Sequence, residues 1–213
     1  MPLDLDRARA RLGAHTPAMV PRGEHTKLAA VALVLREGPR DVGSQAGSHV
    51  GSQVGAHARP LEVLLIKRAE RQHDPWSGHV AFPGGRHDAA DASLYETAVR
   101  EAREEVGLCL DRAEHLGRLD DLQAVARARL VDLVIEPHVF FVAHDEPLAL
   151  RAAEVEEALW VPLEPMLTGA SLTTRPYVHE GRSFEMPGYF VGDHVVWGLT
   201  HRMLESFLDL VRA

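Results

Sequence analysis

Two apolar runs in the first third of the chain predict buried β-strands. Residues 27–36 and 61–68 are rich in aliphatic and β-branched side chains, and the apolar character is too continuous for strands with one solvated face. A shorter run at 79–82 leads into Pro-Gly-Gly at 83–85, for which we predict a tight turn. Because 61–68 resumes as a strand after a polar stretch, we expect it to pair with 27–36.

Helical periodicity marks two further segments. A helix is predicted over 92–106, because Ser93 and Glu96 form a capping-box pattern at its start and Gly107 follows its end. Residues 195–211 carry apolar side chains at helical spacing and predict a terminal helix.

The rest of the second half alternates strand and helix signals. Strands are expected around 117–125 and 134–142, and a short helix over 152–158 is expected before an extended stretch at 160–163. Strands mixed with a few helices, without regular βαβ alternation, favour an α+β or layered α/β domain with a mixed sheet.

Two polar segments shape the domain organisation. Residues 1–24 form a polar amphipathic arm that ends in turn-forming residues. Residues 38–60 are mainly Gly, Ser, Gln, His and Ala, and the sequence at 43–49 is nearly repeated at 51–57. We expect a flexible hairpin insertion that arose by duplication, since a strand resumes directly after it. The whole chain, 1–213, is therefore predicted to be a single domain.

Charge and composition narrow the classes of function. The chain has 213 residues, 46% of them apolar, and 23 basic against 31 acidic residues give a net charge of −8. Such a surface repels long polyanions, so nucleic acid and anionic membranes are not expected as partners. Small phosphorylated ligands are compatible, because a few local arginines or a metal ion can reverse the sign within one pocket.

Cysteine usage and hydropathy bear on location. Cys109 is the single cysteine, so no internal disulfide can form, as is usual in a reducing compartment. No apolar run approaches the roughly 18 residues that span a bilayer, and the first residues lack the apolar core of a signal peptide. We expect a cytoplasmic protein.

The candidate chemistry lies on the helix predicted at 92–106. At about 100° per residue, Glu104 lies about 60° to one side of Glu101 and Glu105 about 40° to the other, so the three carboxylates share an arc of about 100°. Like charges at these spacings destabilise a helix, and so do acids near its C-terminus. Binding of a hard divalent cation such as Mg²⁺ would offset that cost. The alternative is a solvated acidic face with Arg100 and Arg103 as ordinary ion-pair partners.

The segment from Gly85 to residue 108 resembles the Nudix box. The family pattern is Gly-x5-Glu-x7-Arg-Glu-U-x-Glu-Glu-x-Gly-U, with U aliphatic, and the chain has Gly85, fourteen residues and then Arg-Glu-Ala-Arg-Glu-Glu-Val-Gly-Leu at 100–108. Asp91 stands in place of the first Glu, and the spacing from Asp91 to Arg100 is one residue longer. The coenzyme A pyrophosphatase branch of the family shows the same two departures.

Sequence outside the box is similar to that branch as well. Residues 64–69, Leu-Leu-Ile-Lys-Arg-Ala, and residues 78–85, Gly-His-Val-Ala-Phe-Pro-Gly-Gly, are similar to the branch's signature before the box. Ile66 replaces a Thr of that signature, and His73 lies near the position of an Arg. The segment 197–204, which starts Trp-Gly-Leu-Thr, resembles the branch's Trp-Gly-x-Thr ending.

This resemblance implies a fold and an activity. The fold would be a Nudix-type α/β/α sandwich around a mixed β-sheet. The activity would be Mg²⁺-dependent hydrolysis, with Mn²⁺ as an alternative ion, of the diphosphate bond in coenzyme A or a related nucleoside diphosphate conjugate. ADP-ribose, dinucleotide polyphosphates and nucleoside triphosphates are alternative substrates of the same family. The alternative from another functional class is a nucleotide-sensing module without catalysis. The oligomeric state is left open, with a homodimer as one possibility.

The resemblance also assigns roles to residues. Glu101 and Glu105 are the first choice as metal ligands and catalytic residues. Glu104 either completes that site or binds a second ion, and the carbonyl of Gly84 is a further candidate ligand. Arg100 would pair with a neighbouring acid and fix its rotamer.

Substrate contacts and the general base are less sharply defined. Arg68 and Arg86 are either surface charges or phosphate contacts, and Gly84 and Gly85 offer exposed backbone to a phosphate. A carboxylate outside the box can act as base, and the candidates lie in the acidic segment before Trp160: Glu154, Glu156 and Glu157. Trp76 and Trp160 either stack on a base or pack within the fold.

Overall fold

The computed structural model describes residues 3–39, 59–72, 76–126, 129–144 and 146–213. The predicted insertion lies almost wholly outside these residues, as does His73. The helices and strands in chain order are α1 (Leu5–Ala14), β1 (Lys27–Glu37), β2 (Leu61–Arg68), β3 (Val80–Ala81), β4 (Gly84–Arg86), α2 (Leu94–Val106), β5 (Glu114–Arg118), β6 (Leu122–Ala126), β7 (Arg129–Phe141), β8 (Val155–Pro162), α3 (Glu164–Leu167), β9 (Leu172–His179), β10 (Arg182–Val191), β11 (His194–Trp197) and α4 (Gly198–Arg212).

A mixed sheet of eight strands forms the centre of the fold. Its main order is β3-β2-β1-β7-β5, and β8 pairs with β2, β4 with β1 and β6 with β7. The strands β1 and β7 run parallel, whereas the other pairings between described strands of this sheet are antiparallel. The predicted pairing of the first two strands is confirmed, with Leu35 opposite Val63.

Helices cover both faces of this sheet. Alternate residues of β1 point to opposite faces, so Ala30, Ala32 and Val34 pack in the cluster that contains α2. Leu33 and Leu35 pack on the other face, in the cluster that contains residues of α1 and α4. Burial on both faces explains why the apolar runs of the central strands are continuous. The predicted α/β/α layering around a mixed sheet is confirmed.

The helix α2 begins and ends where its capping residues predict. The Ser93 hydroxyl accepts a hydrogen bond from the Glu96 N–H at 3.2 Å, and the Glu96 carboxylate accepts one from the Ala92 N–H at 2.7 Å. Gly107 ends the helix in a left-handed conformation with φ of 71°. Both ends are therefore fixed by local interactions, which is why the sequence predicts them closely.

The helix predicted over 152–158 is wrong. Residues Val155–Pro162 form β8, which pairs antiparallel with β2 and places Trp160 opposite Leu64. The Ala- and Glu-rich composition favours a helix locally, but pairing with the otherwise open edge of β2 overrides that preference. The strand predicted at 117–125 is likewise interrupted, since β5 ends at Arg118 and β6 begins at Leu122.

A separate antiparallel sheet, absent from the sequence prediction, has the order β11-β10-β9. The turn between β9 and β10 has Glu180 and Gly181 at positive φ, 49° and 75°, as in a two-residue hairpin loop. The terminal helix α4 follows β11 directly, so the helical prediction for 195–197 is wrong and the remainder is confirmed. In the described part of the chain, no helix is long and apolar enough to cross a membrane.

Candidate active site

The short strand β4 brings the two glycines of the box against α2. The predicted tight turn at 83–85 is wrong, since Gly84 and Gly85 belong to β4, with Gly84 opposite Val31 of β1. The Ala32 N–H donates to the Pro83 carbonyl at 2.8 Å and the His87 N–H to the Leu28 carbonyl at 2.9 Å, so Gly84 occupies a non-hydrogen-bonded position of this ladder. Both backbone polar groups of Gly84 therefore face away from β1.

Glycine is required at 84 because the two strands approach closely. A Cβ atom on Gly84 would lie 2.5 Å from the Ala30 carbonyl oxygen and 2.7 Å from the Val31 Cα, both backbone atoms that cannot rotate away. The N–H of Gly84 donates instead to the Glu105 carboxylate of α2 at 2.9 Å. The strand thus connects the floor of the sheet to the acidic helix.

Glu105 is a buried carboxylate, with 3% of the residue exposed. Burial raises the pKa of Glu105 to about 7, and the nearby charge of Glu101 acts in the same direction. The hydrogen bond from Gly84 and the positive charge of Arg68 oppose this rise. A carboxylate of this kind, desolvated and close to another acid, gains stability from a bound cation.

Glu101 lies directly over Gly85. A Cβ atom on Gly85 would lie 2.6 Å from Cδ and 2.9 Å from Oε2 of Glu101, so the carboxylate occupies the space that a side chain would fill. Its Oε1 accepts a hydrogen bond from Arg100 Nη1 at 2.8 Å. Burial raises the pKa of Glu101 above its usual value, although the Arg100 guanidinium opposes the rise.

Arg100 is held by Asp91, which replaces the first Glu of the family pattern. Arg100 donates from Nε and Nη2 to the two oxygens of Asp91, at 2.9 and 3.0 Å, and from Nη2 to the Arg86 carbonyl at 3.1 Å. The pKa of the Asp91 carboxyl lies well below its usual value, chiefly because of the hydrogen bonds from Arg100. The shorter Asp therefore forms a bidentate pair that fixes the guanidinium beside Glu101.

Glu104 stands apart from the other two acids of the box. Its side chain is 42% exposed and lies 3.6 Å from Arg100 and 3.7 Å from Arg151. Glu101 and Glu105 line the main cavity, whereas Glu104 is absent from its lining. The structure brings together two of the three carboxylates that the helix geometry places on one arc.

The main cavity has a volume of about 570 Å³, which suits a nucleotide-sized ligand. Its walls combine acids, cations and aromatic rings with an apolar floor from β1 and β7. The predicted substrate-contact residues Gly84, Gly85, Arg68 and Arg86 all line it. The cavity also contains residues that the sequence reasoning did not select: Arg71, His79, Trp197 and Thr200.

The three candidate bases have different surroundings. Glu154 lines the cavity and contacts Arg71 at 3.1 Å. Glu156 instead pairs with Lys67 at 2.6 Å, and Glu157 with His194 at 2.9 Å, and neither lines the cavity. A bulge interrupts the pairing of β2 with β8 between Lys67 and Arg68, next to the point where the chain passes from Glu154 at the cavity to Glu156 and Glu157 outside it.

The two tryptophans considered from sequence lie in different places relative to the cavity. Trp76 lines the cavity, whereas Trp160 lies outside it beneath the Arg36 guanidinium, 4.2 Å from the ring centroid. Trp197 was quoted from sequence only as the start of the Trp-Gly-Leu-Thr resemblance and was given no role in the site, because the helical spacing of the terminal segment assigned it to a helix.

The donor set suits a hard divalent cation. Among the described residues, no group of three His, Cys, Asp or Glu side chains is gathered closely enough to hold a metal ion. Mg²⁺, however, is commonly held by one or two carboxylates together with water and substrate phosphates. Such a set is available here: the buried carboxylate of Glu105, the largely buried carboxylate of Glu101 and the Gly84 carbonyl, which faces away from β1.

Comparison with known proteins identifies the family. The family profile described as "NUDIX domain" matches residues 53–180. A relative from Schizosaccharomyces pombe, named an uncharacterized protein, is 39% identical over 108 residues, which are 49% of this chain and 33% of that protein. The human mitochondrial coenzyme A diphosphatase NUDT8 is 32% identical over 155 residues, which are 70% of this chain and 62% of that protein. The chain thus spans less than two thirds of either relative's length.

A solved structure agrees with the fold. The crystal structure of a MutT/nudix family protein from Enterococcus faecalis superposes with a TM-score of 0.53 at 18% sequence identity, and the match covers 99% of this chain and 70% of that chain. The structure shows the fold, and the family profile covers more than half of the chain, so this chain belongs to the Nudix family.

Proposed function

We propose that this enzyme hydrolyses the diphosphate bond of coenzyme A or a related nucleoside diphosphate conjugate, with Mg²⁺ as its ion and Mn²⁺ as a substitute. One observation carries the proposal. The signature before the box contributes Arg68, Phe82 and Gly84 to the cavity, and the acidic helix of the box contributes Glu101 and Glu105 to the same cavity. The name of the human relative, a coenzyme A diphosphatase, supports the same substrate.

Glu101, Glu105 and the Gly84 carbonyl would hold the ion. Nudix hydrolases generally use divalent metal ions. A bound Mg²⁺ would neutralise charge on the diphosphate and would supply an oriented water for attack on phosphorus. Arg100, clamped by Asp91, keeps the Glu101 carboxylate in one position, and Gly84 does the same for Glu105 through its N–H.

The cations of the cavity would bind the diphosphate itself. Arg68, Arg71 and Arg86 line the same cavity as the two buried acids. Guanidinium groups donate paired hydrogen bonds to phosphate oxygens, and these bonds strengthen as charge moves onto the bridging oxygen. The three guanidinium groups offset the charge of the three acids that line the cavity, Glu101, Glu105 and Glu154. An anionic diphosphate that arrives with a divalent ion is therefore compatible with the net negative charge of the protein.

Glu154 is the candidate general base. It lies on the cavity wall beside Arg71, and its negative charge contributes to raising the pKa of both Glu101 and Glu105. In this role it takes the proton of the attacking water while the phosphorus–oxygen bond to the leaving phosphate breaks. The products of such a hydrolysis are two phosphomonoesters.

The proposal is tested by product analysis. Purified protein is incubated with coenzyme A, dephospho-coenzyme A, ADP-ribose and a dinucleoside tetraphosphate, each with Mg²⁺, Mn²⁺ or EDTA, and phosphomonoesters are quantified by mass spectrometry. We expect the highest kcat/KM with coenzyme A, no turnover in EDTA, and a loss of at least 100-fold in Glu105→Gln. Higher kcat/KM with ADP-ribose or the tetraphosphate than with both coenzyme A forms would refute the substrate assignment.

A further inference from the structure

A cluster of aromatic side chains outside the Nudix box borders the cavity. Trp197, the last residue of β11, lines the cavity together with His79. The ring centroids of Trp197 and His79 lie 4.7 Å apart. The ring centroid of Tyr177, on β9, lies 5.5 Å from that of Trp197, across the intervening strand β10. The Arg175 guanidinium lies over the Trp197 ring, 5.0 Å from its centroid. We call these four residues the aromatic wall.

Sheet register places the wall on one face of the β9–β11 sheet. Gly188 of β10 lies opposite Trp197 on one side and Thr173 on the other. Arg175 and Tyr177 follow Thr173 at alternate positions of β9, so their side chains point to the same face as Trp197. The wall therefore extends from the cavity along the hairpin.

The tip of the hairpin contacts the first residue of β7. Glu180, in the turn between β9 and β10, lies 3.4 Å from Arg129, the first residue of β7. Leu133 and Ile135 of β7 form part of the cavity floor. The hairpin thus runs from the Trp197 side of the cavity to the strand that supplies its floor.

The core of the fold does not account for the wall. Tyr177 and Trp197 are partly exposed and Arg175 is exposed, and none of the three belongs to either buried apolar cluster. The Trp197 Nε1–H has no hydrogen-bond partner among the described residues. Ring and cation contacts therefore position this indole, as in surfaces that bind planar ligands.

We propose that the aromatic wall is the nucleobase site of this enzyme, with the base stacked on Trp197. This inference rests on the proposed function, because it assigns a binding site to the nucleoside part of the proposed substrate. A nucleobase is the planar, π-rich part of such a substrate, and base–aromatic stacking is its general mode of recognition. The apolar floor of Val31, Leu133 and Ile135 is left for the aliphatic end. Arg175 acts as a positioning residue that holds the indole plane.

Fluorescence tests binding without catalysis. The chain has three tryptophans, so the Trp76→Phe/Trp160→Phe variant reports on Trp197 alone. Titration in EDTA with AMP is expected to quench this fluorescence saturably, whereas ribose 5-phosphate is expected to leave it unchanged. Quenching by ribose 5-phosphate equal to that by AMP, or no quenching by AMP, would overturn the proposal. Quenching by AMP without hydrolysis of coenzyme A would reject the proposed substrate and retain the base site.

Kinetics test the same site in the active enzyme. Trp197→Leu is expected to raise KM for coenzyme A about 10-fold or more, the range of base–aromatic stacking, while kcat changes less than about 2-fold. Trp197→Phe is expected to restore most of the loss. Trp160→Phe is the matched control, because Trp160 also lies beneath an arginine but outside the cavity.

A base-free substrate separates stacking from structure. With a coenzyme A analogue that carries hydrogen in place of adenine, Trp197→Leu and the parent enzyme should have equal KM. An equal rise of KM with both substrates would show that Trp197 only shapes the cavity, and would overturn the base assignment. Circular dichroism of each variant checks that the fold is retained.

Discussion

The variant Gly85→Ala tests whether activity depends on the position of the Glu101 carboxylate. Gly85 has no positive φ, so the alanine backbone is unstrained. The new Cβ would lie 2.6 Å from Cδ of Glu101, a distance that ordinary contacts never reach. The obstructed group is the end of a flexible side chain, and we therefore expect the carboxylate to move while the backbone stays.

The size of the effect follows from the distances. The shortest ordinary contact of a Cβ atom is 3.4 Å, so Cδ of Glu101 must move by about 0.8 Å, the difference from 2.6 Å, and Oε1, which lies nearer to the new Cβ, must move further. That shift weakens the 2.8 Å hydrogen bond from Arg100, a charge-assisted bond worth about 1.5–3 kcal/mol. Alanine also lowers the conformational entropy of the unfolded chain, which raises the free energy of unfolding by about 0.4–1 kcal/mol. The net loss of unfolding free energy is at most about 2.6 kcal/mol, or a Tm lower by about 10 °C at most.

Activity should fall much further than stability. Misplacement of a reacting or ligating group by about 1 Å costs on the order of 100-fold in rate. Turnover with Mg²⁺ and the Mg²⁺-induced rise in Tm measure the two effects of the displaced ligand. Gly13→Ala is the matched control, since its Cβ meets nothing within 4 Å, and it should keep full activity.

A double variant decides whether Gly85 acts through Glu101. If the alanine works by displacing that carboxylate, Gly85→Ala/Glu101→Gln should be no slower than Glu101→Gln alone. Independent effects would instead multiply. Wild-type turnover in Gly85→Ala, or multiplied losses in the double variant, would refute the assignment of Glu101 as a metal ligand.

Three further changes test other parts of the molecule. Glu154→Gln should lower kcat at least 100-fold and Glu156→Gln less than 3-fold, since only Glu154 lines the cavity, and equal effects would exclude Glu154 as the base. The pKa of Glu136 is lowered to about 2 by His138, Arg22 and Arg118, so its stabilisation, about 3 kcal/mol, is present above about pH 5 and is lost as the pH falls towards 2. Urea unfolding of Glu136→Gln should therefore show a flatter decline over that range than the parent. Replacement of residues 40–58 by a short turn should change turnover less than 2-fold, because their composition offers little apolar area to bury.

Local signals explain what the sequence predicted of the fold. The helix α2 is bounded by its own cap residues, Ser93 and Gly107, so its limits need no tertiary information. The strands β1 and β2 are buried on both faces, and their continuous apolar runs mark them without knowledge of their partners. Each of these elements is specified by interactions or burial that its own residues encode.

Long-range pairing explains what the sequence missed. The residues of β8 form a strand only because β2 offers an open edge, and β2 is about ninety positions earlier in the chain. Trp197 lies at the end of a short strand whose partner is Gly188 of β10. Because the helical spacing of the residues after Trp197 continues back to residue 195, the sequence predicts a helix where the strand lies. The aromatic wall could therefore not be found before the β9–β11 sheet was known.

The acidic site shows the same division between local and tertiary information. Helix geometry places Glu101, Glu104 and Glu105 on one arc, but a helix alone does not specify which side of the arc meets the sheet. Contact with β4 decides this, since Gly84 and Gly85 face Glu105 and Glu101 and leave Glu104 towards solvent and Arg151. The two glycines were identified from sequence as exposed backbone. Gly85 leaves the space that the Glu101 carboxylate occupies, whereas Gly84 allows β4 to approach β1 and donates its N–H to Glu105.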